Sequence, residues 1–369
     1  MHLCTMGATV VSDKLYFTSS DFNALFCVDL KDKKILYKTY FTEYGKYRKE
    51  LYAKQILYNG KIYFVPRACD KVAIFDIGTE EISYIEIEGK GEGPIRDAFI
   101  EGNFLWMLYS QYPAHVFKIN LTTKKCGLIT PNWIRESHMI TEPGKYIKFE
   151  SAKQVDKCWW IFAERQGYLL NYDWRRNEIR EYSIECFQGK MMTGNVREKA
   201  WMMVRGEDRV LEYDYKNNTK NWLQIREIGQ IPGDVMRIIV QDEYILFIKK
   251  KGMTVMSKEN YAVKNFMFSR EKNLICYAVY EGKMILFPAQ GKDLIVFYFG
   301  DNKIEEYAFV WEKEMTEKNL ETYFSGCISE KVCDIAEFVN VASTNRKYDY
   351  QDNGKAIWNS IGGNRRQDP

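Results

Sequence analysis

Histidine is nearly missing from this chain of 369 residues, with only His2, His115 and His138. Nine cysteines are scattered without a C-x-x-C pair, so the ligand spacing of a zinc site does not occur. There is no G-x-S-x-G elbow, P-loop, H-E-x-x-H helix or dinucleotide fingerprint, which removes the familiar hydrolase, nucleotide-enzyme and metalloprotease motifs. No metal and no cofactor are expected. No apolar run approaches the length of a membrane span. The start, MHLCTMGATVVSDK, lacks the basic-then-apolar order of a secretory leader. Charge of one sign is not in excess either: 53 Lys and Arg stand against 50 Asp and Glu, a net of +3. Phosphate-rich partners call for a strong basic surplus, so neither nucleic acid nor a membrane surface is an expected partner. Several cysteines lie inside apolar runs such as NLICYAV, where a thiol acts as a small core hydrophobe. With no disulfide framework to read, the expected home is the cytoplasm, and the sequons at Asn120 and Asn217 are expected to be incidental.

What the chain has instead is a repeat. A polar dipeptide opens an apolar run at Asp13, Gly60, Gly102, Asp156, Glu198, Asp242 and Gly282. A second phrase follows 15 to 18 residues later, as in VDLKDKKI or FDIGTEEI, centred on Asp29, Asp76, Asn120, Asp173, Asp214, Ser257 and Tyr298. Successive second phrases lie 41 to 53 residues apart. Each unit reads as four short strands, because segments such as KIYFVPRA and KVAIFDI are β-branched or aromatic and bounded by turn formers. The dipeptide makes the hairpin before the second strand. The Asp, Asn or Ser closes the turn between third and fourth strands, where a short side chain bonds N–H groups two or three residues ahead. These acids are therefore read as architectural. Four strands in a period of about forty to fifty residues mark a β-propeller blade, and seven units predict an all-β, seven-bladed propeller of four-stranded antiparallel blades.

Over residues 7 to 310 this blade pattern resembles the Kelch-type propellers and, more loosely, bacterial propeller proteins of unassigned role. The Kelch double glycine and the Trp-Asp pair of WD40 blades do not occur, and GEGP at Gly91–Pro94 resembles a turn of NHL-type propellers. The expected division is a propeller over 1–310 and an extension over 311–369. In the extension, Val332, Ile335, Phe338, Val339 and Ala342 share one helical face, and Ile357, Trp358 and Ile361 suggest a second short helix, so a helical C-terminal tail is expected. MGATVVSD can supply the inner strand of the first blade, making every blade continuous; a shared closing blade is the alternative.

The loops between second and third strands open on the same face as the connections between blades. They gather Asp21, Arg67, Tyr109, Gln111, Glu164, Arg165, Arg205, Glu207, Lys249 and Gln290 on one rim. From these, Arg67, Tyr109, Glu164, Arg165, Arg205, Glu207, Lys249 and Gln290 are the candidate ligand-binding residues; the arginines can grip carboxylates or sulfates through paired bonds. No catalytic residue is assigned. A long loop over 130–148 carries Trp133, Arg135, Glu136 and His138. His115 is expected to be structural, and Met202 and Met203 to be blade core. The preferred reading is a non-enzymatic propeller that binds a protein or peptide over the rim. The alternative is a channel enzyme or ligand sensor acting on a carbohydrate or an anionic small molecule.

Overall fold

The computed structural model describes residues 5–19, 23–32, 34–44, 51–89, 95–109, 115–129, 149–155, 158–163, 168–183, 191–193, 199–204, 206–288, 293–308 and 310–311. They fold into seven sheets, each built on four antiparallel strands from one continuous stretch of chain. Blade 1 holds β1 (Thr5–Val11), β2 (Lys14–Ser19), β3 (Ala24–Asp29) and β4 (Lys34–Tyr40). Blade 2 holds β5 (Tyr52–Tyr58), β6 (Lys61–Pro66), β7 (Lys71–Asp76) and β8 (Ile82–Glu86). Blade 3 holds β9 (Ile95–Glu101), β10 (Phe104–Tyr109), β11 (His115–Asn120) and β12 (Cys126–Ile129). Blade 4 holds β13 (Phe149–Val155), β14 (Cys158–Ala163), β15 (Tyr168–Asp173) and β16 (Glu178–Ser183).

Blade 5 holds β17 (Met191–Thr193), β18 (Ala200–Val204), β19 (Arg209–Asp214) and β20 (Thr219–Gln224). A short helix, α1 (Arg226–Gln230), leads to blade 6 with β21 (Arg237–Val240), β22 (Tyr244–Ile248), β23 (Gly252–Ser257) and β24 (Val263–Met267). Blade 7 holds β25 (Leu274–Tyr280), β26 (Lys283–Pro288), β27 (Asp293–Tyr298) and β28 (Lys303–Ala308). The ring closes as β1 lies against both β25 and β5. Blade 1 thus takes all four of its own strands from the N-terminal end. In addition β29 (Val310–Trp311) runs parallel to β4, Val310 opposite Lys34 and Trp311 opposite Ile35. This is a seven-bladed propeller, as the repeat requires.

The turn chemistry explains why the repeat was readable. Asp29 Oδ1 accepts from the N–H groups of Lys31 and Asp32 at 2.9 and 3.1 Å. The same pair of bonds forms at Asp76, Asn120, Asp173 and Asp214, all between 2.9 and 3.2 Å. At Ser257 the backbone closes the turn, Tyr261 N–H donating to the Ser257 carbonyl at 3.0 Å. Four residues beyond each of these last five caps, Glu80, Lys124, Asn177, Asn218 and Tyr261 adopt φ of 52° to 58°. In the hairpins before the second strands, Asn59–Gly60 and Glu281–Gly282 are both left-handed, the geometry that suits a two-residue turn to strand twist. The Lys61 ammonium, 2.5 Å from Asp76, together with the N–H groups of Thr79 and Gly78 holds that carboxyl below the usual carboxylate range. The Asn217 N–H and side chain do the same for Asp214.

The interior follows from strand alternation, since successive side chains point to opposite faces. In β2, Leu15 and Phe17 join the cluster shared with blade 7, while Tyr16 joins the cluster shared with blade 2. In β6, Ile62 and Phe64 face blade 1 and Tyr63 and Val65 face blade 3. Seven buried clusters result among the described residues, one for each junction between blades. Met202 and Met203 are fully buried in two of them, so they are core as expected. Cys27, Cys69, Cys126, Cys158 and Cys276 are free thiols. Among the described residues no helix is long and apolar enough to cross a membrane. The expected C-terminal helices, the long loop over 130–148 and GEGP at 91–94 lie outside the described residues.

Candidate binding face

A blade of four antiparallel strands has two ends. The 1–2 hairpins and the 3–4 turns occupy one, here called the turn face. The 2–3 loops and the connections between blades occupy the other, the loop face. Three buried polar side chains pin the loop face to the ring. Asn23, only 1% exposed, donates through Nδ2 to the carbonyls of Phe41 and Tyr44 at 2.8 and 3.0 Å. This ties the 2–3 loop of blade 1 to the connection leading into blade 2.

Lys249, 5% exposed, follows β22 and gives its ammonium to the carbonyls of Ile228 and Ile231, the latter at 2.7 Å. Those carbonyls belong to the end of α1, where a helix leaves acceptors unsatisfied. Burial pushes the Lys249 pKa down, against the pull of Asp234 and Asp208. Lys272, also buried, lies 3.0 Å from Glu306 of β28 and fixes the connection from blade 6 to blade 7. Burial raises the pKa of Glu306, but the Ser269 hydroxyl and N–H with Lys272 outweigh it, leaving the carboxyl below its ordinary value.

Of the candidate rim residues, Arg67 begins the 2–3 loop of blade 2, half-buried, its N–H bonded to the Leu51 carbonyl at 2.7 Å. That loop is laced further by Cys69 Sγ to the Leu51 carbonyl at 3.1 Å and by Tyr44 Oη to Asp70 at 2.5 Å. Glu207 sits in the 2–3 loop of blade 5 and accepts from Nε and Nη2 of Arg209 at 3.1 and 2.9 Å. Tyr109 is the last residue of β10, pairs with His115, and is buried with its ring 6.0 Å from Phe117. Its ring belongs to the blade 2–3 core and not to the rim surface. Lys249 is spent on α1. Glu164, Arg165, Arg205 and Gln290 lie outside the described residues. The four placed residues come from blades 2, 3, 5 and 6. His115 is half-buried and desolvation lowers its pKa. Among the described residues no three His, Cys, Asp or Glu side chains converge as metal ligands.

Sequence reasoning passed over one polar centre inside the ring. Asp97 of β9 is 3% exposed. Its carboxylate accepts from Lys54 of β5 at 2.5 Å, from the Gln154 N–H of β13 at 2.9 Å and from Trp159 Nε1 of β14 at 3.2 Å. Lys54 also donates to the Ala98 carbonyl at 2.6 Å. One acid therefore joins blades 2, 3 and 4 at their inner strands. A charged residue inside the apolar alternation of IRDAFIE was the available signal. Nearby, Gln55 Nε2 reaches the Gly7 carbonyl at 2.8 Å and links blade 2 to blade 1.

No known family model matches the chain, and no curated protein matches it. Many solved structures share the architecture. YCF48 from Cyanidioschyzon merolae superposes with a TM-score of 0.61 at 9% identity, covering 81% of this chain and 96% of that one. Virginiamycin B lyase from Staphylococcus aureus gives 0.56 at 10% identity, covering 78% and 95%. The extracellular domain of a one-component system protein, BT4673, from B. thetaiotaomicron gives 0.57 at 9%, covering 80% of this chain and 38% of that chain. Identities this low establish the propeller fold and nothing finer.

Proposed function

We propose that this propeller is a non-enzymatic binding protein that takes a protein or peptide partner across its loop face. One observation carries the reading: the loop face is organised in advance. Asn23, Lys249 and Lys272 are buried and bonded to backbone carbonyls or an ion partner, so the described loops need little further ordering on contact. Rigid presentation reduces the entropy lost on association. Arg67 and Glu207, with Arg165 and Arg205, are the contacts of this reading. A Kelch-like blade lineage and a reducing, cytoplasmic setting belong to the same reading, the latter supported by the five described thiols.

The test is capture from a lysate with crosslinking, followed by binding measurements on the partner identified. Arg67→Ala with Arg205→Ala should weaken that partner at least tenfold while the thermal midpoint moves by less than about 2 °C, as each such change usually costs under about 0.5 kcal/mol. A partner whose affinity ignores these changes, or the failure of any partner to appear, overturns the proposal.

A further inference from the structure

One junction between blades carries a buried carboxylate at a packing position. Two residues before each turn cap, the side chain faces the following blade. In blades 1, 2, 6 and 7 this place is held by Cys27, Ile74, Val255 and Val296, each packed in the core between blades. Blades 3 and 4 put the half-buried Lys118 and Asn171 there, and blade 5 puts Glu212 there, 6% exposed. A buried carboxylate at a packing position is costly unless it is paired. Its oxygens accept from Lys199 at 2.6 Å, Asn221 Nδ2 at 3.2 Å and Tyr261 Oη at 3.4 Å.

At the turn-face end of this junction a cavity of about 770 Å³ opens. Lys199, Trp201 and Glu212 of blade 5 line one side and Asp242, Glu259 and Tyr261 of blade 6 the other. The volume lies within the range of about 300 to 1,000 Å³ typical of small-ligand sites. Glu243 and Lys258 complete its charged wall, giving four carboxylates against two ammonium groups, one of which Glu212 already neutralises. Tyr261 forms the lip. It is 41% exposed and holds φ at 57°, a backbone state that a bulky residue rarely adopts.

We propose that this cavity between blades 5 and 6 is a second binding site, distinct from the loop face, that receives the guanidinium of an arginine side chain from a peptide. The planar cation satisfies carboxylates in pairs and stacks on an aromatic ring, which are the two kinds of surface the cavity offers. Asp242 and Glu259 supply the charge, Tyr261 the aromatic wall, and the Lys199–Glu212 pair a fixed polar floor. The site stands on the opposite face from Arg67 and does not depend on the loop-face proposal.

The test uses a Gly-Arg-Gly-Arg-Gly peptide and its citrulline counterpart, which keeps the shape and removes the charge, titrated into the whole protein by calorimetry. The arginine peptide should bind at least tenfold more tightly, and raising the salt should weaken it. Asp242→Asn with Glu259→Gln should lower its affinity at least tenfold. Tyr261→Gly should also weaken it, while the unfolding midpoint stays level or rises because the left-handed backbone is relieved. Arg67→Ala should leave it unchanged. Equal binding of both peptides, no binding of either, or indifference to the cavity variants overturns the assignment. So does a neutral oligosaccharide, maltotetraose, that binds with the same sensitivity to those variants.

Discussion

Replacing Asp97 by alanine should be felt in three blades at once. The side chain is 3% exposed and holds donors from β5, β13 and β14. Removing one partner of a buried ion pair costs about 3–5 kcal/mol when the remaining charge is trapped. Here Lys54 keeps 38% of its side chain in solvent, so its ammonium stays hydrated and that figure must be reduced. What remains are the Trp159 indole N–H, on a fully buried ring, and the Gln154 amide, each losing an acceptor at about 1–3 kcal/mol. The expected loss is about 2–6 kcal/mol.

For a ring of about 300 residues the unfolding entropy near the midpoint is on the order of 0.6 kcal/mol per degree, so the midpoint should fall by about 3–10 °C in scanning calorimetry. Asp97→Asn should cost less, since its amide oxygen still accepts. The alanine penalty should persist in a Lys54→Met background, because the indole and the amide are orphaned either way. A midpoint shift below about 1 °C, or a penalty that vanishes with Lys54, would show that Asp97 does not join the blades as argued.

Gly252 opens β23, and a Cβ there would meet the Phe266 carbonyl oxygen at 2.3 Å with Met267 Cα at 3.3 Å. Backbone must move to admit it, so Gly252→Ala should destabilise blade 6 by about 1–3 kcal/mol in urea unfolding, and an unchanged urea midpoint would refute the crowding. Acidification should weaken the fold in two windows. His115 has its folded pKa below the unfolded 6.5, so the unfolded chain takes up its proton first and stability declines as the pH falls through 6.5. Asp76 and Asp214 have folded values below 3.8; their contribution is complete above 3.8 and is lost as the pH falls through the depressed values. Calorimetric midpoints from pH 8 to 2 should show both declines, and His115→Asn should remove the first alone; a wild-type profile that is flat between pH 7 and 5 counts against it.

The blades were legible because their punctuation is local. Asp29 or Asp76 bonds its own turn within three residues, so the phrase that marks the cap is the structure of the cap. Contacts assembled from distant stretches left weaker marks. Lys249 was placed among the candidate ligand-binding residues of the rim because α1 is five residues long, too short to show a period, and its unsatisfied carbonyls cannot be foreseen without it. Tyr109 was placed on the rim because the end of β10 extends one residue beyond the apolar run FLWML. Glu212 left no mark in the sequence, because only the packing of blade 5 against blade 6 brings it to Tyr261. Two residues of parallel pairing at β29 offer no pattern at all.

That last pairing bears on how the circle stays shut. The polypeptide leaves the outermost strand of blade 7 and comes to rest along the outer margin of blade 1, so the seam between first and last blades is latched at its circumference. Further in, among the described residues, the same seam is held by side chains, including Phe17, Phe26 and Phe287, and by Tyr280 donating to Asp13. A chain ending at Ala308 would keep the four antiparallel strands of every blade yet lose the latch, leaving the wheel free to spring open at one place without unravelling an antiparallel strand pair within any blade.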